Sequence, residues 1–364
     1  MTKITRGSYT GLIANISGKI EQGKEYAYTS INNILINTYW EIGRLIVEYE
    51  QKGKEKAEYG NIFMKKLSKD LRTKFGKGFS LSNLYLIRLF YMKHPKLHSE
   101  PGILQTSGIS QTSGIFQTSG IFQTGNKLTW SHYVEFLSVY DDLARSFYEK
   151  ECVNANWSVR ELRRQIDSML FERLALSKDK KAILELAQNG QIIKEEKDIL
   201  KEPYMLEFLG IPEKETYSEK ELEQKIIDNL QMFLLELGKG FTFVKRQFRI
   251  TLNNNNFYID LVFYNRILKC FVLIDLKIGR VSHADIGQMN MYLNYFQHEE
   301  NVEGDNQPIG IILAADKDDI MIEYALGGIS NKLFVSRYKL YIPEKQKLEE
   351  EVRKMIKKDR NNLD

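Results

Sequence analysis

The stretch Phe257-Tyr258-Ile259-Asp260-Leu261-Val262-Phe263-Tyr264, followed by Cys270-Phe271-Val272-Leu273-Ile274-Asp275-Leu276-Lys277-Ile278-Gly279, decides the fold of this chain. Both runs are apolar, rich in β-branched and aromatic residues, and joined by a short loop near Asn265 to Leu268, so they read as a hairpin. Each strand carries an acid where a buried strand would take another Val or Ile, and the second adds a lysine two residues on. Such charges cost stability in a core unless something pairs with them. Paired across the loop, Asp260 and Asp275 fall nearly opposite each other, with Cβ atoms ~5 Å apart. Lys277 projects from the same face as Asp275. A one-residue slip would undo this, and the sequence does not fix the register. Two carboxylates at one point suit a divalent cation such as magnesium, which takes oxygen ligands and lowers the pKa of a bound water. A lysine beside them can orient that water or donate to phosphate oxygens. Hydrolysis of a phosphodiester is the chemistry that uses such a set.

Working outward, a helix precedes the hairpin. Ser218 and Glu221 form its capping box, and Leu222, Ile226, Leu230, Phe233, Leu234 and Leu237 form its core stripe, up to Gly238 and Gly240. A strand from Phe241 to about Leu252 follows, alternating through Phe243, Lys245, Gln247 and Arg249, and then an Asn253–Asn256 turn. After the hairpin comes a helix opened by Ser282 with Asp285 as its box partner, and running through Ile286, Met289, Tyr292, Leu293 and Phe296. Pro308 to Ala315 is a fully apolar strand of the buried kind. Leu333 to Ile342 suggests one more strand, and Glu344 to Lys358 a charged helix. The order is helix, three strands, helix, strand.

The half before this is helical. Apolar positions recur at helical spacing through Ile31, Ile34, Leu35, Trp40, Ile42, Leu45 and Ile46 in a first helix, about Tyr9 to Gln51. A second helix, about Tyr59 to Phe75, has a basic face of Lys65, Lys66, Lys69 and Arg72. Gly76-Lys77-Gly78 breaks it, and Ser80 caps a third, Leu81 to about Lys93. Helix, turn, helix is also a packed-bundle pattern; read as a DNA-binding motif, it puts Ser82, Asn83, Tyr85 and Arg88 at a groove. A hexapeptide repeat, Gln105-Thr-Ser-Gly-Ile-Ser110 onward, reads as a flexible surface insert at about 103–125. Helical pattern resumes from Thr129 to about Leu176. Asn156-Trp157-Ser158 starts one of these helices, with Glu161 as box partner, and Arg160, Arg163 and Arg164 sit on one face as a solvated stripe or as phosphate contacts.

With 364 residues and a 43% apolar fraction the chain can build two or three cores, and its formal net charge of +4 neither demands nor excludes nucleic acid. Cys152 and Cys270 are far apart and lack metal-ligand spacing, so they read as reduced thiols. No apolar run approaches the ~20 residues of a membrane span, no signal segment opens the chain, and the expected location is the cytoplasm. No Gly-x-x-x-x-Gly-Lys-[Ser/Thr] loop supports ATP hydrolysis. The expected division is a helical domain, 1–176, connecting helices, 177–216, and a third part, 217–364.

Asp260…Asp275-Leu-Lys277 resembles the signature of the PD-(D/E)xK nuclease superfamily, whose core has the same element order. The wider set resembles the YhcG-like family within it: Phe257 to Tyr264, Asp275 to Gly279, Gly287-Gln-Met-Asn-Met-Tyr-Leu-Asn294, Leu237 to Phe241, Asn156 to Arg163, Tyr59-Gly60 and Lys77 to Ser80. The resemblance implies an α+β protein, with an N-terminal all-α, helix-turn-helix-like domain and a C-terminal restriction-endonuclease-like α/β domain with a mixed central sheet. It implies a nuclease acting on DNA with Mg2+ or Mn2+. Asp260 matches the metal-binding aspartate, Asp275 the (D/E) position, where Glu is commoner in the family, and Lys277 the catalytic lysine. Glu223 resembles the auxiliary acid of the preceding helix; its neighbour Glu221 is better explained as a cap. Gln288 and Tyr292 resemble the Gln-x-x-x-Tyr pair of branches that handle DNA ends or recombination intermediates. Ile259 stands where the superfamily name has proline. Lys69, Arg88, Arg160, Arg163 and Arg164 are the candidate nucleic-acid contacts, and the helical half is where a second copy or a protein partner would dock. The same residues also fit a catalytically inactive relative that binds nucleic acid or assembles with other proteins.

Overall fold

The computed structural model describes residues 6–52, 57–94, 128–175, 180–212, 216–327 and 332–342. The hexapeptide repeat and the charged helix expected at Glu344 to Lys358 lie outside them. The chain forms two compact units, one of residues 1–145 and 156–159, the other of 146–155 and 160–364.

The first unit holds α1 (Arg6–Lys52), α2 (Ala57–Phe75), α3 (Leu81–Lys93) and α4 (Trp130–Leu137), and the start of α5 (Asp142–Ala155). Ser80 caps α3, its side chain accepting from the Asn83 amide at 3.2 Å. The core gathers Ile46, Met64, Leu84 and Ile87 with Tyr39, Leu67 and Trp130 around them. Gly43 lets α1 and α3 touch: a Cβ there would meet the Ile87 carbonyl oxygen at 2.5 Å. The buried face of α1 is Ile36, Trp40 and Ile46, whereas Ile31, Ile34 and Leu45 of the expected stripe are exposed. Lys69 and its basic neighbours on α2 are exposed. Arg88 is about a third exposed and ion-paired. Its Nε donates to Glu50 at 2.6 Å, and Asn83 is held by Gly78 and Trp130.

The second unit continues through α6 (Val159–Asp167), α7 (Leu170–Ala175) and α8 (Lys180–Asn189) to β1 (Tyr204–Met205). Then come α9 (Glu219–Asp228), α10 (Leu230–Leu237), β2 (Phe241–Leu252), β3 (Asn255–Asn265), β4 (Cys270–Arg280), α11 (His283–Tyr295), β5 (Ile309–Asp316), α12 (Asp319–Leu326) and β6 (Lys332–Lys339). The sheet order is β1-β6-β5-β4-β3-β2. The β2–β3 and β3–β4 pairs are antiparallel, and the rest are parallel. One face packs on α9 and α10 through Leu222, Ile226, Phe233, Leu261, Phe263 and Ile274; the other packs on α11 through Ile286, Met289, Leu293, Leu273 and Ile312. Each such side chain contributes ~1.5–3 kcal/mol of burial. Asn265 shapes the hairpin loop, accepting from the amides of Ile267 and Leu268 at 3.0 and 3.1 Å.

The expected helix from Ser218 to Leu237 is broken at Asn229 into α9 and α10. The segment 177–216, expected to connect two domains, supplies β1 to the sheet and is anchored by a buried charge cluster. Glu236, fully buried, meets Arg173 at 2.6 Å and Arg164 at 3.1 Å, accepts from the Met205 amide at 3.0 Å, and its carbonyl accepts from Lys201. Burial alone would raise the Glu236 pKa, but Arg173, Lys201 and Arg164 together hold it down at about 2. This cluster corrects one expected nucleic-acid contact. Arg160 and Arg163 are exposed, but Arg164 turns inward, only 9% exposed, onto Glu207, Glu236 and the Met205 carbonyl.

Candidate active site

The site lies where β3 and β4 fork. Their backbone pairing runs from Asn265↔Cys270 to Leu261↔Ile274 and stops. One step further, Asp260 would face Asp275. The strands part here, and the Asp260 carboxylate takes the place of a backbone acceptor: its Oδ2 receives the Leu276 amide at 2.8 Å. Asp275 continues in β4, paired to Ile312 of β5, and the residue is 6% exposed. Lys277, two residues on, places Nζ 2.8 Å from Asp275 Oδ2. Asp285 and Glu219 stand at 3.6 and 3.9 Å from the same ammonium.

α9 brings Glu223 to the fork, 3% exposed. The box residue Glu221 is exposed and tied to Ser218, its Oε2 accepting from the Ser218 amide at 2.7 Å, which separates the cap from the acid that points inward. From α11, Gln288 donates to the Tyr292 hydroxyl, which donates to the Tyr258 carbonyl at 3.0 Å. Tyr292 is buried, and the charges of Asp275 and Asp260 are near enough to help burial raise its pKa. The structure therefore brings Glu223, Asp260, Asp275, Lys277, Gln288 and Tyr292 to one end of the sheet.

Two residues of β2 belong here that sequence reasoning did not single out. Gln247 Nε2 donates to Glu223 Oε2 at 2.7 Å and to Asp260 Oδ1 at 3.0 Å. Arg246 Nε lies 3.0 Å from Glu223 Oε1. The only sequence signal for either was polarity within a strand.

Charge at the fork is unbalanced. Burial raises the Asp275 pKa, and the nearby Asp260 carboxylate raises it further, against the pull of Lys277, so that it reaches about 7. Burial also raises that of Asp260; the Leu276 amide and Lys277 offset part of this, and Glu223 adds to it. Burial would lower the Lys277 pKa, but Asp275, Glu219 and Asp285 raise it, so the ammonium stays charged. Among the described residues no group of three or more acids, histidines or cysteines is already arranged as a metal cage. The donor set nevertheless fits a divalent cation. Three buried or half-buried carboxylates converge, and Glu223 Oε1 is buried without a hydrogen bond, facing only the Arg246 charge. A cation would relieve the repulsion that adds to burial in raising the pKa values of Asp275 and Asp260.

Residues 197–354 match the family profile of the YhcG PDDEXK nuclease domain, and residues 15–173 that of the DUF1016 N-terminal domain. The protein named "Putative nuclease YhcG" of Escherichia coli (strain K12) is 40% identical over 357 residues, which span 96% of this chain and 94% of that protein. Among solved structures, a repair endonuclease from Pyrococcus abyssi is 16% identical over 36% of this chain and 50% of its own, with a TM-score of 0.25. EndoMS in its apo form is 20% identical over 36% of this chain and 49% of its own, with a TM-score of 0.24. These likenesses span about half of each solved chain and carry no weight beside the family matches. Among the described residues no helix is long and apolar enough to cross a membrane. Matched from end to end by its relative and in each half by a family profile, the chain belongs to the YhcG family of PDDEXK nucleases.

Proposed function

We propose that the second unit hydrolyses phosphodiester bonds in DNA with a divalent cation, Mg2+ or Mn2+, held by Asp260 and Asp275 with Glu223 as auxiliary acid. The observation that carries this reading is the convergence of Glu223, Asp260, Asp275 and Lys277 on the β3–β4 fork, with Gln247 bridging the first two and Lys277 beside the third. When bound, the cation supplies an activated water and charge neutralisation. The residues divide the remaining work. Asp260 is fixed in place by the Leu276 amide. Lys277 stays charged and sits beside Asp275, placed to donate to a phosphate oxygen or orient water. Gln288 and Tyr292 join α11 to β3 through Tyr258, holding the far wall of the fork. The exposed Arg160 and Arg163, and Lys69 in the first unit, are phosphate contacts in this reading. DNA is the substrate favoured by the Gln-x-x-x-Tyr pair.

The test is nicking of supercoiled plasmid with Mg2+ or Mn2+ by wild type, Asp275→Ala and Lys277→Ala. Wild type nicks and both variants lose the activity. Equal cutting by the variants would place the chemistry elsewhere. No cutting by any form, across cations and substrates, would favour a non-catalytic nucleic-acid-binding or assembly module.

A further inference from the structure

The residue row through the site is where the sheet changes face. In a regular strand, residues two apart share a face. Here they do not. Leu261 packs with Leu222 and Ile226 of α9, while Ile259 packs with Ile286 and Met289 of α11. On β2, Arg246 reaches Glu223 and Gln224 of α9, while Phe248 meets Phe296, just beyond α11, at 5.0 Å between ring centroids. The pairs Arg246↔Leu261 and Phe248↔Ile259 place Gln247 against Asp260, at the point of inversion. The β2 register also shifts between Phe243 and Lys245. Gln247 has φ +46°, in the left-handed region. A non-glycine residue there costs of order 1–3 kcal/mol and persists where the surrounding structure over-determines it, most often at functional sites.

The strain has a chemical result. It aims one carboxamide between two acids. Both neighbours are acceptors only, so the amide nitrogen faces them, and one –NH2 group bridges Glu223 and Asp260. We propose that Gln247 is a positioning residue of this site, a reading that rests on the cation site proposed above: its carboxamide sets the spacing of Glu223 and Asp260 so that both acids are in place for a divalent cation. Without it the two carboxylates repel, and Glu223, left with Arg246 as its partner at 3.0 Å, is no longer tied to Asp260.

Gln247→Gly separates the side chain from the backbone, because glycine accepts positive φ at no steric cost. Gln247→Asn tolerates the same backbone and is too short to bridge both acids. Mn2+ binding by the full-length chain is measured by calorimetry and by the Mn2+ paramagnetic resonance signal, and folding by circular dichroism and melting. The expected result is that both variants stay folded and melt cooperatively, yet bind Mn2+ about tenfold more weakly, the usual effect of losing a group that orients a metal ligand. If wild type binds Mn2+ and Gln247→Gly binds it equally well, Gln247 serves only the strand and the proposal is overturned. If wild type itself binds no Mn2+, the cation reading falls, and this proposal with it.

Discussion

Asp275→Asn is the sharpest test of the charge imbalance at the fork. The carboxyl is buried beside Asp260, which lifts its pKa from an ordinary 3.8 to about 7, a net value that already includes the attraction of Lys277. That gap converts to roughly 4 kcal/mol of penalty on the folded state above pH 7. Water entry and side-chain relaxation reduce such penalties, and we take about 2 kcal/mol as the gain from a neutral isostere. For a unit of this size the gain is about 4–8 °C in melting temperature. The sign with pH follows from linkage. An acid whose pKa rises on folding binds more protons folded than unfolded between the two values. Wild-type stability therefore falls as pH climbs from about 4 to about 7, then stays level with respect to this group. Scanning calorimetry in chelator at pH 8 is expected to show Asp275→Asn melting above wild type, with the difference shrinking toward pH 4. Cation at a hundred times its Kd restores about 2.7 kcal/mol to wild type and little to the variant. A variant that melts below wild type at pH 8 without cation would refute the reasoning.

Other outcomes follow from the same contacts. Lys277→Met is expected to lower the cutting rate roughly a hundredfold or more while leaving Mn2+ affinity as strong or stronger, as read by single-turnover cleavage and calorimetry. Glu236→Gln leaves Arg173 and Arg164 buried without their carboxylate and is expected to cost about 3–5 kcal/mol in urea denaturation. Arg164→Ala belongs with it, lowering stability without changing the salt dependence of DNA binding. Arg160→Ala and Arg163→Ala do the reverse, each reducing the slope of log affinity against log salt by about 0.9 in a binding titration.

How far the sequence carried follows from which features are local. The β3–β4 hairpin was legible because its two runs differ from their surroundings in every property that marks a strand, whereas its register, Leu261↔Ile274 to Asn265↔Cys270, came only from the structure. The N-cap at Ser80 and the capping boxes at Ser218 and Ser282 were legible because such a cap is complete within four residues. β1 was not, because Tyr204 and Met205 form only two pairs, to Tyr338 and Lys339 far downstream, and sit in a charged stretch. α12 has only eight residues, too few to show a helical period, although Asp318 caps it. Arg164 shares helical spacing with Arg160 and Arg163, and nothing local shows that Glu236, 72 residues later, draws it inward. Gln247 was read as one more alternating polar residue, since period-two reasoning assumes a pleat that keeps its hand. A left-handed residue at mid-strand breaks that assumption, and the residue that breaks it bridges two of the acids.

The fork also makes Asp260 do two jobs that substitution can separate. Where β3 leaves β4, past the Leu261↔Ile274 pair, buried Leu276 has no pairing partner on β3, and the Asp260 carboxylate accepts from its amide. Asp260→Ala removes that acceptor and leaves a buried N–H unpaired, a cost of about 1–3 kcal/mol. Asp260→Asn keeps an oxygen for Leu276 but turns an amide nitrogen toward Gln247, so the donor-to-donor contact breaks the bridge to Glu223. Both variants are expected to lose Mn2+ affinity and cleavage, while Ala melts below Asn by an amount set by the orphaned amide. Leu276 amide exchange, followed by hydrogen–deuterium measurements, is expected to speed up in Ala and stay slow in Asn. Equal stability and equal exchange in the two variants would mean that the fork closes without Asp260, and that this acid is placed by something other than the parting of the strands.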